Sequence, residues 1–199
     1  MLMKNNKNIF LYLILIFFSL TQSLNADEFD ITASNIKLFQ DGEKILAEGN
    51  VLIVGQDGII IEAESAIYDK KERVIEAEKS VKITDSKTKD ILTSDKIQYS
   101  KNKEEILAEG NVFFKGDNGV TIKTEIALYD NRNQIIKSDQ STKMNDGSGN
   151  SILLDMFSYS TKNKSLRSKG YIEITDKYEN KYFFDDIFID VKKKRIAGS

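Results

Sequence analysis

The sequence predicts an all-β fold made of tandem repeats, and three observations support this. The segment Ile45–Val51 returns unchanged at 106–112, and fainter copies follow at steps of 30 or 31 residues. Apolar and polar residues alternate around each copy, and turns rich in Asn, Asp and Gly come about every 15 residues. A unit with such a period cannot bury its apolar face alone, so it must stack on its neighbours.

Two series of apolar residues mark the period. The first runs Ile45, Ile75, Ile106, Ile136, Leu166, Ile196. The second lies seven residues earlier and runs Leu38, Tyr68, Tyr99, Tyr129, Tyr159, Ile189. Each repeat therefore holds two strands with two turns, and the chain is expected to form about twelve strands in one domain.

The strands that start at a residue of the first series each have one apolar face, which we call the dry face. Their apolar residues recur at every second position, and Glu, Asn, Lys and Arg stand between them, which is the pattern of a half-buried strand. Small residues such as Ala47, Gly49 and Ser138 share the dry face. The large apolar members of this face are Ile45, Val51, Ile53, Ile75, Val81, Ile83, Ile106, Val112, Phe114, Ile136, Met144, Leu166, Ile172 and Ile174.

The other strand of each repeat has an alternation that slips at its middle. Ile61 and Ala63 have odd numbers, whereas Ala66 and Tyr68 have even numbers. A β-bulge or a bend would produce this slip, and the sequence does not choose between them. The expected strands are 31–38, 61–68, 92–99, 122–129, 152–159 and 182–189.

The N-terminus has the organisation of a secretory signal peptide. Lys4 and Lys7 precede an apolar run from Ile9 to Leu20, in which Ser19 is the one polar residue apart from the Tyr12 hydroxyl, and a short polar, small-residue segment ends at Ala26. The run is short for a membrane span, which needs about 20 apolar residues. We expect a signal peptide at 1–26 and one exported domain at 27–199; an uncleaved signal anchor is the alternative.

The composition offers little for catalysis. The chain has no His, Cys, Pro or Trp, and its formal net charge is −2. The commonest general base, the thiol nucleophile and the usual soft metal ligands are therefore missing. The sequence predicts no catalytic residue, no metal and no cofactor, and a net negative exported chain is not expected to bind nucleic acid. The loop 145–150 resembles a calcium loop only faintly, because it lacks the closing glutamate.

The dry face has two interpretations. Strands with one apolar face must bury that face, and a sandwich or a closed roll does so without any ligand. Alternatively the dry face lines a groove for a lipid, and its small residues would leave width that side chains do not fill. The sequence leaves both interpretations open.

The repeat resembles a known family motif. Ala47-Glu-Gly-Asn-Val51, followed by Ala63-Glu-Ser-Ala-Ile-Tyr-Asp69, is similar to the OstA-like repeat of the lipopolysaccharide-transport proteins. The resemblance covers essentially all of 27–199 and recurs five to six times. It implies a twisted β-jellyroll, open along one side, whose interior holds lipid A acyl chains.

That resemblance carries further expectations. The fourteen large dry-face residues would line the lipid groove, and the partners would be lipopolysaccharide and other Lpt components joined by edge-strand pairing. Head-to-tail self-association is also implied, as is a location in the periplasm, with attachment to the outer membrane if the chain is part of an LptD protein. Transport would be passive, with acyl chains sliding in the groove and the energy supplied elsewhere.

The sequence does not decide which member of this family the chain resembles most. A cleaved signal peptide fits the periplasmic bridge LptA, whereas an array that stops within a repeat fits the N-terminal domain of the outer-membrane protein LptD. An uncleaved anchor would fit LptC. Outside this family, an exported structural or adhesive β-solenoid with a packed core is the remaining hypothesis.

Overall fold

The protein is built from one antiparallel sheet. The computed structural model describes residues 28–199. The strands are β1 Phe29–Thr32, β2 Asn35–Phe39, β3 Lys44–Gly55, β4 Ile59–Asp69, β5 Val74–Asp85, β6 Ile91–Ser100, β7 Glu105–Lys115, β8 Thr121–Asp130, β9 Ile135–Ser138, β10 Thr142–Asn145, β11 Ser151–Ser160, β12 Ser165–Thr175, β13 Lys181–Asp190 and β14 Arg195–Gly198. A single 3₁₀ turn, Gln40–Gly42, joins β2 to β3 in the described part of the chain.

The strands form a meander in which sequence neighbours are also sheet neighbours. The order is β1-β3-β4-β5-β6-β7-β8-β10-β11-β12-β13-β14, with β2 beside β3 and β9 between β8 and β11. The predicted all-β fold of two-strand repeats is thus confirmed. Within residues 28–199 fourteen strands replace the expected twelve, because two of the expected strands are split at their middle, into β1 with β2 and β9 with β10.

The slip in the alternation corresponds to a line of bulges. The ladder between β3 and β4 shifts register between Glu48 and Val51, and the ladders from β4 through β8 and from β11 through β13 shift in the same way. Gly49 and Asn50 both have positive φ there, at 76° and 50°. A bulge with this geometry bends the strand sharply.

The bends fold the sheet in half. A straight strand of eleven residues would span about 36 Å, so its two ends could not meet. Yet Asp57, at one end of β4, lies 2.5 Å from Lys101, which follows the opposite end of β6. The first halves of β3, β5, β7 and β12 therefore belong to one half-sheet, and their second halves belong to a facing half-sheet.

The interior between the half-sheets is apolar along the length of the roll. A single cluster of buried hydrophobic residues begins at Phe29 and continues to Ile189. Within residues 28–199 no helix has the length and hydropathy needed to cross a membrane. The expected signal peptide lies outside the described residues.

Candidate functional site: the apolar interior and its seam

The residues of the predicted groove lie together in the interior. Thirteen of the fourteen are buried, and Ile45 is partly buried against the same cluster. Neighbouring strands align them in rows: Ile75 is opposite Tyr68 and Tyr99, and Ile106 is opposite Tyr99 and Tyr129. Positions of period two on successive strands are thus stacked into one continuous apolar layer.

The interior is filled by its own side chains. Ile75, Ile106, Ile136, Leu166 and Ile172 are each 0% exposed. One inner cavity, beside Phe114 and Tyr129, has a volume of about 10 Å³, which is the space of about one water molecule. A lipid chain could enter only if these side chains moved apart.

The two half-sheets meet again at their free ends, and we call this line of contact the seam. Its first contact centres on Asp57, in the turn between β3 and β4. The Asp57 carboxylate accepts a hydrogen bond from the Tyr99 hydroxyl and, at 2.5 Å, one from the Lys101 ammonium. Burial alone would raise the pKa of Asp57, but these bonds and one from the Ile59 N–H outweigh burial and hold that pKa below its ordinary value.

A second contact repeats this arrangement two hairpins later. Asn118, in the turn between β7 and β8, donates to the Tyr159 hydroxyl at 3.1 Å. Its neighbour Asp117 accepts a hydrogen bond from Lys164. Burial raises the pKa of Tyr159 to about 12. Both contacts join a turn of one half-sheet to a repeat tyrosine and a lysine of the other.

Between these two contacts the seam contains a third tyrosine, whose hydroxyl makes no hydrogen bond of normal geometry to the described residues. Tyr129 occupies the same repeat position as Tyr99 and Tyr159, and its hydroxyl is the buried side-chain atom within residues 28–199 that has no hydrogen-bond partner. Burial, with the nearby Asp90 and Asp85 charges, raises its pKa, and the Thr161 side chain acts in the opposite direction. Asp90 is itself buried, and this burial raises its carboxyl pKa. The seam is therefore least satisfied at its middle.

The N-terminal end of the seam has its own ion pair. Arg73 Nε donates to Glu28 at 2.8 Å, and a second guanidinium nitrogen contacts the same carboxylate. Phe29 packs edge-on against Tyr68 and Tyr99, with ring centroids 5.1 and 6.0 Å apart. Edge-on ring pairs of this kind stabilise a fold by about 0.5–1.5 kcal/mol beyond the effect of burying the ring surfaces.

The apolar interior reaches the surface at both ends of the roll. Leu38 and Ile36 lie opposite Ile45 and Ala47, and they are 65% and 44% exposed. At the other end Tyr182 lies opposite Ile174, and Ile196 opposite Ile189, with Tyr182 and Ile196 about half exposed. The inner layer is thus continuous from one end of the described chain to the other.

No metal site is found in the part of the chain that the structure covers. Residues 28–199 contain no group of three or more His, Cys, Asp or Glu side chains placed to hold a metal ion. In the loop at 145–150 the Asp146 carboxylate accepts bonds from the backbone N–H groups of Ser148 and Asn150 and from the Asn150 side chain. This carboxylate stabilises its own turn.

The sequence indicated the interior but not the seam. The tyrosines were recognised as markers of the period, and nothing in that pattern revealed that their hydroxyls cross to the opposite half-sheet. The partners of Tyr99 and Tyr159 lie 42 and 41 residues earlier. Polar turn residues 41 or 42 positions before a repeat tyrosine are the sequence signal for these contacts.

The fold matches a solved structure. The chain is similar to LptH from Pseudomonas aeruginosa, described as the LptA-homologous periplasmic component of the conserved lipopolysaccharide transport device, with a TM-score of 0.51 and 17% identity. The match covers 57% of this chain and 82% of that chain. No family model and no curated protein matches the sequence. At this identity the likeness establishes an LptA-like β-jellyroll fold.

Proposed function

We propose that the protein binds lipopolysaccharide in the periplasm and passes it between the inner and outer membranes, as an LptA-like bridge without catalytic activity. The observation that carries this proposal is the apolar layer that runs unbroken between the two ends of the roll. The shared fold with LptH supports it. The same interior would serve in the N-terminal domain of an LptD protein, which is the alternative within this class.

The lipid would bind by replacing contacts across the interior. Because the interior is filled, the half-sheets would have to separate at the seam, where the contacts are polar and the side chains are partly exposed. Acyl chains would then lie against residues such as Val112, Phe114 and Met144, while sugars and phosphates would stay in water. Apolar burial of the acyl chains would offset the lost packing, at about 0.8 kcal/mol per CH₂ group.

Other Lpt components, or further copies of this chain, would pair with the terminal strands. β1 and β2 lie at one end of the sheet and β14 lies at the other. A terminal strand has unpaired backbone groups on its outer side, which can extend the sheet into a partner. Such pairing would join one apolar interior to the next.

The test is photo-crosslinking in cells that make lipopolysaccharide. A photoreactive residue at Phe114, which is buried, should form a lipid adduct, and one at the exposed Lys115 should not. Adjacent strand positions point to opposite faces, so the pair is a matched control.

A structural β-solenoid is the second candidate, and the filled interior favours it. If a folded protein gave no lipid adduct at Phe114, the dry face would be a permanent core. Lipid transport would then be the wrong assignment, and a structural or adhesive role would replace it.

A further inference from the structure

The sheet has a gap in its fourth repeat. In β3, β5, β7 and β12 the strand continues through the bend, but here it is divided into β9 and β10 by Asp139–Ser141. On this side of β8 the ladder partners skip from Lys123 to Leu128. None of Asp139, Gln140 and Ser141 has the positive φ that forms the bulge at Gly49-Asn50. The segment therefore leaves the sheet.

A cleft occupies this gap on the outer face of the roll. Its volume is about 550 Å³, within the range of about 300–1,000 Å³ for small-molecule sites. Ile126 and Met156 line its outer wall and are 37% and 48% exposed. Its floor reaches Ala127 and Phe157, which belong to the buried inner layer.

The charged side chains of the cleft are mainly cationic. Lys137, Arg167 and Lys169 line it, against the single carboxylate of Asp139. Arg167 stacks on the Phe188 ring at 4.7 Å, and Lys169 is 4.0 Å from Asp186 on the exposed surface. The cleft thus combines an apolar floor with a positive rim, which complements a ligand that has an alkyl chain and an anionic head.

We propose that this cleft binds a fatty acid, with the alkyl chain against Leu128, Met156 and Phe157 and the carboxylate near Lys137 and Arg167. The site is separate from the seam and opens on the opposite side of the inner layer. It does not depend on lipopolysaccharide occupying the interior.

The experiment titrates the purified protein with laurate, below its micelle concentration, and follows the heat of binding. Wild type should bind one laurate, and dodecyltrimethylammonium, with the same chain and a cationic head, should bind about tenfold more weakly. Met156→Glu should weaken laurate binding by about tenfold or more, because it places a carboxylate in the apolar wall.

Leu153→Glu is the matched control. Leu153 and Met156 both lie on the outer face of β11, are similarly exposed, and are each opposite a lysine, Lys143 and Lys169. Leu153 does not line the cleft, so its variant should bind laurate as wild type does. Equal binding by wild type and Met156→Glu, or no binding by wild type, would overturn the proposal.

A diazirine-labelled fatty acid locates the bound chain. Adducts on Leu128 or Met156 would support the cleft. Adducts confined to interior residues such as Phe114 would overturn this inference while supporting a lipid-binding interior. Failure of the cleft and failure of the proposed transport function therefore give different results.

Discussion

Asp57 and Lys101 lie 2.5 Å apart across the seam, although 44 residues separate them in the chain. Their side chains are only 16% and 15% exposed. The Tyr99 hydroxyl donates to the same carboxylate oxygen. The Asp57 carboxylate thus joins the end of one half-sheet to the end of the other, so its removal should destabilise the packing of the two half-sheets.

Asp57→Asn should lower the free energy of unfolding by about 1–3 kcal/mol, because a hydrogen-bonded charge is removed and Lys101 loses its partner. Glu62→Gln is the matched control. Glu62 also pairs with a lysine, Lys82 at 2.6 Å, but on the outer face, where both side chains are nearly half exposed. Exposed pairs contribute about 0–1 kcal/mol. Urea unfolding measures both values, and equal losses would mean that the seam adds no particular stability.

The stability that Asp57 contributes should depend on pH. Its pKa is lowered in the folded protein, so the contribution is present above the unfolded pKa of about 3.9 and is lost as pH falls through the folded value. The difference in unfolding free energy between wild type and Asp57→Asn should therefore be constant from about pH 7 to 5 and shrink below about pH 4. A difference that grew on acidification would contradict this assignment.

The sequence was sufficient for the fold because one period fixes both the strands and their buried face. Each residue of the series that starts at Ile45 occupies the same place in its repeat. The inward-facing positions identified in one repeat therefore identify the inward-facing positions of the others. The change in the alternation of apolar residues between Ala63 and Ala66 was also informative. It predicted an irregularity, and the structure identifies it as the bulged corner that folds the sheet.

The seam and the gap were not predictable in the same way, because they depend on where the repeats differ. Asp57, Asp117 and Asn118 stand in turns of different sequence, and contact with Tyr99 or Tyr159 follows only once the sheet has folded in half. The gap lies at Asp139–Ser141, where none of the three residues has the positive φ that Gly49-Asn50 and Lys79-Ser80 have in their bends. A pattern shared by all repeats does not show features that belong to a single turn or a single bend.

Tyr99→Phe and Tyr129→Phe should have different effects, although both remove one hydroxyl from the same repeat position. Loss of the Tyr99 hydroxyl deprives the partly buried Asp57 carboxylate of a donor and should destabilise the fold by about 1–3 kcal/mol. The Tyr129 hydroxyl is buried without a hydrogen-bond partner among the described residues, so its removal should be neutral or stabilising. Thermal unfolding of the pair decides this, and a larger loss for Tyr129→Phe would show that its hydroxyl is bonded after all.

The corner bulges allow two substitutions of opposite sign. Lys79 has φ at 66° and occupies the place that Gly49 and Gly110 hold in their repeats. For a residue with a Cβ, this conformation costs about 1–2 kcal/mol, so Lys79→Gly should stabilise the fold by about 0.5–1 kcal/mol after the added entropy of glycine in the unfolded chain. Gly110→Ala should do the reverse. Its φ is 74°, and the new Cβ would lie 2.5 Å from Asp95 Oδ2, so the loss should exceed the conformational cost alone.

Gly42→Ala separates conformation from contact in this comparison. Gly42 also has a positive φ, 90°, but a Cβ there would meet nothing within 4 Å, so only the conformational cost of about 1–2 kcal/mol should be measured. A greater loss for Gly110→Ala than for Gly42→Ala in urea unfolding would establish that the bend needs glycine both for its backbone angle and for the close approach of Asp95. Equal losses of unfolding free energy in the two variants would mean that the backbone angle alone explains the glycine of the Gly-Asn pair.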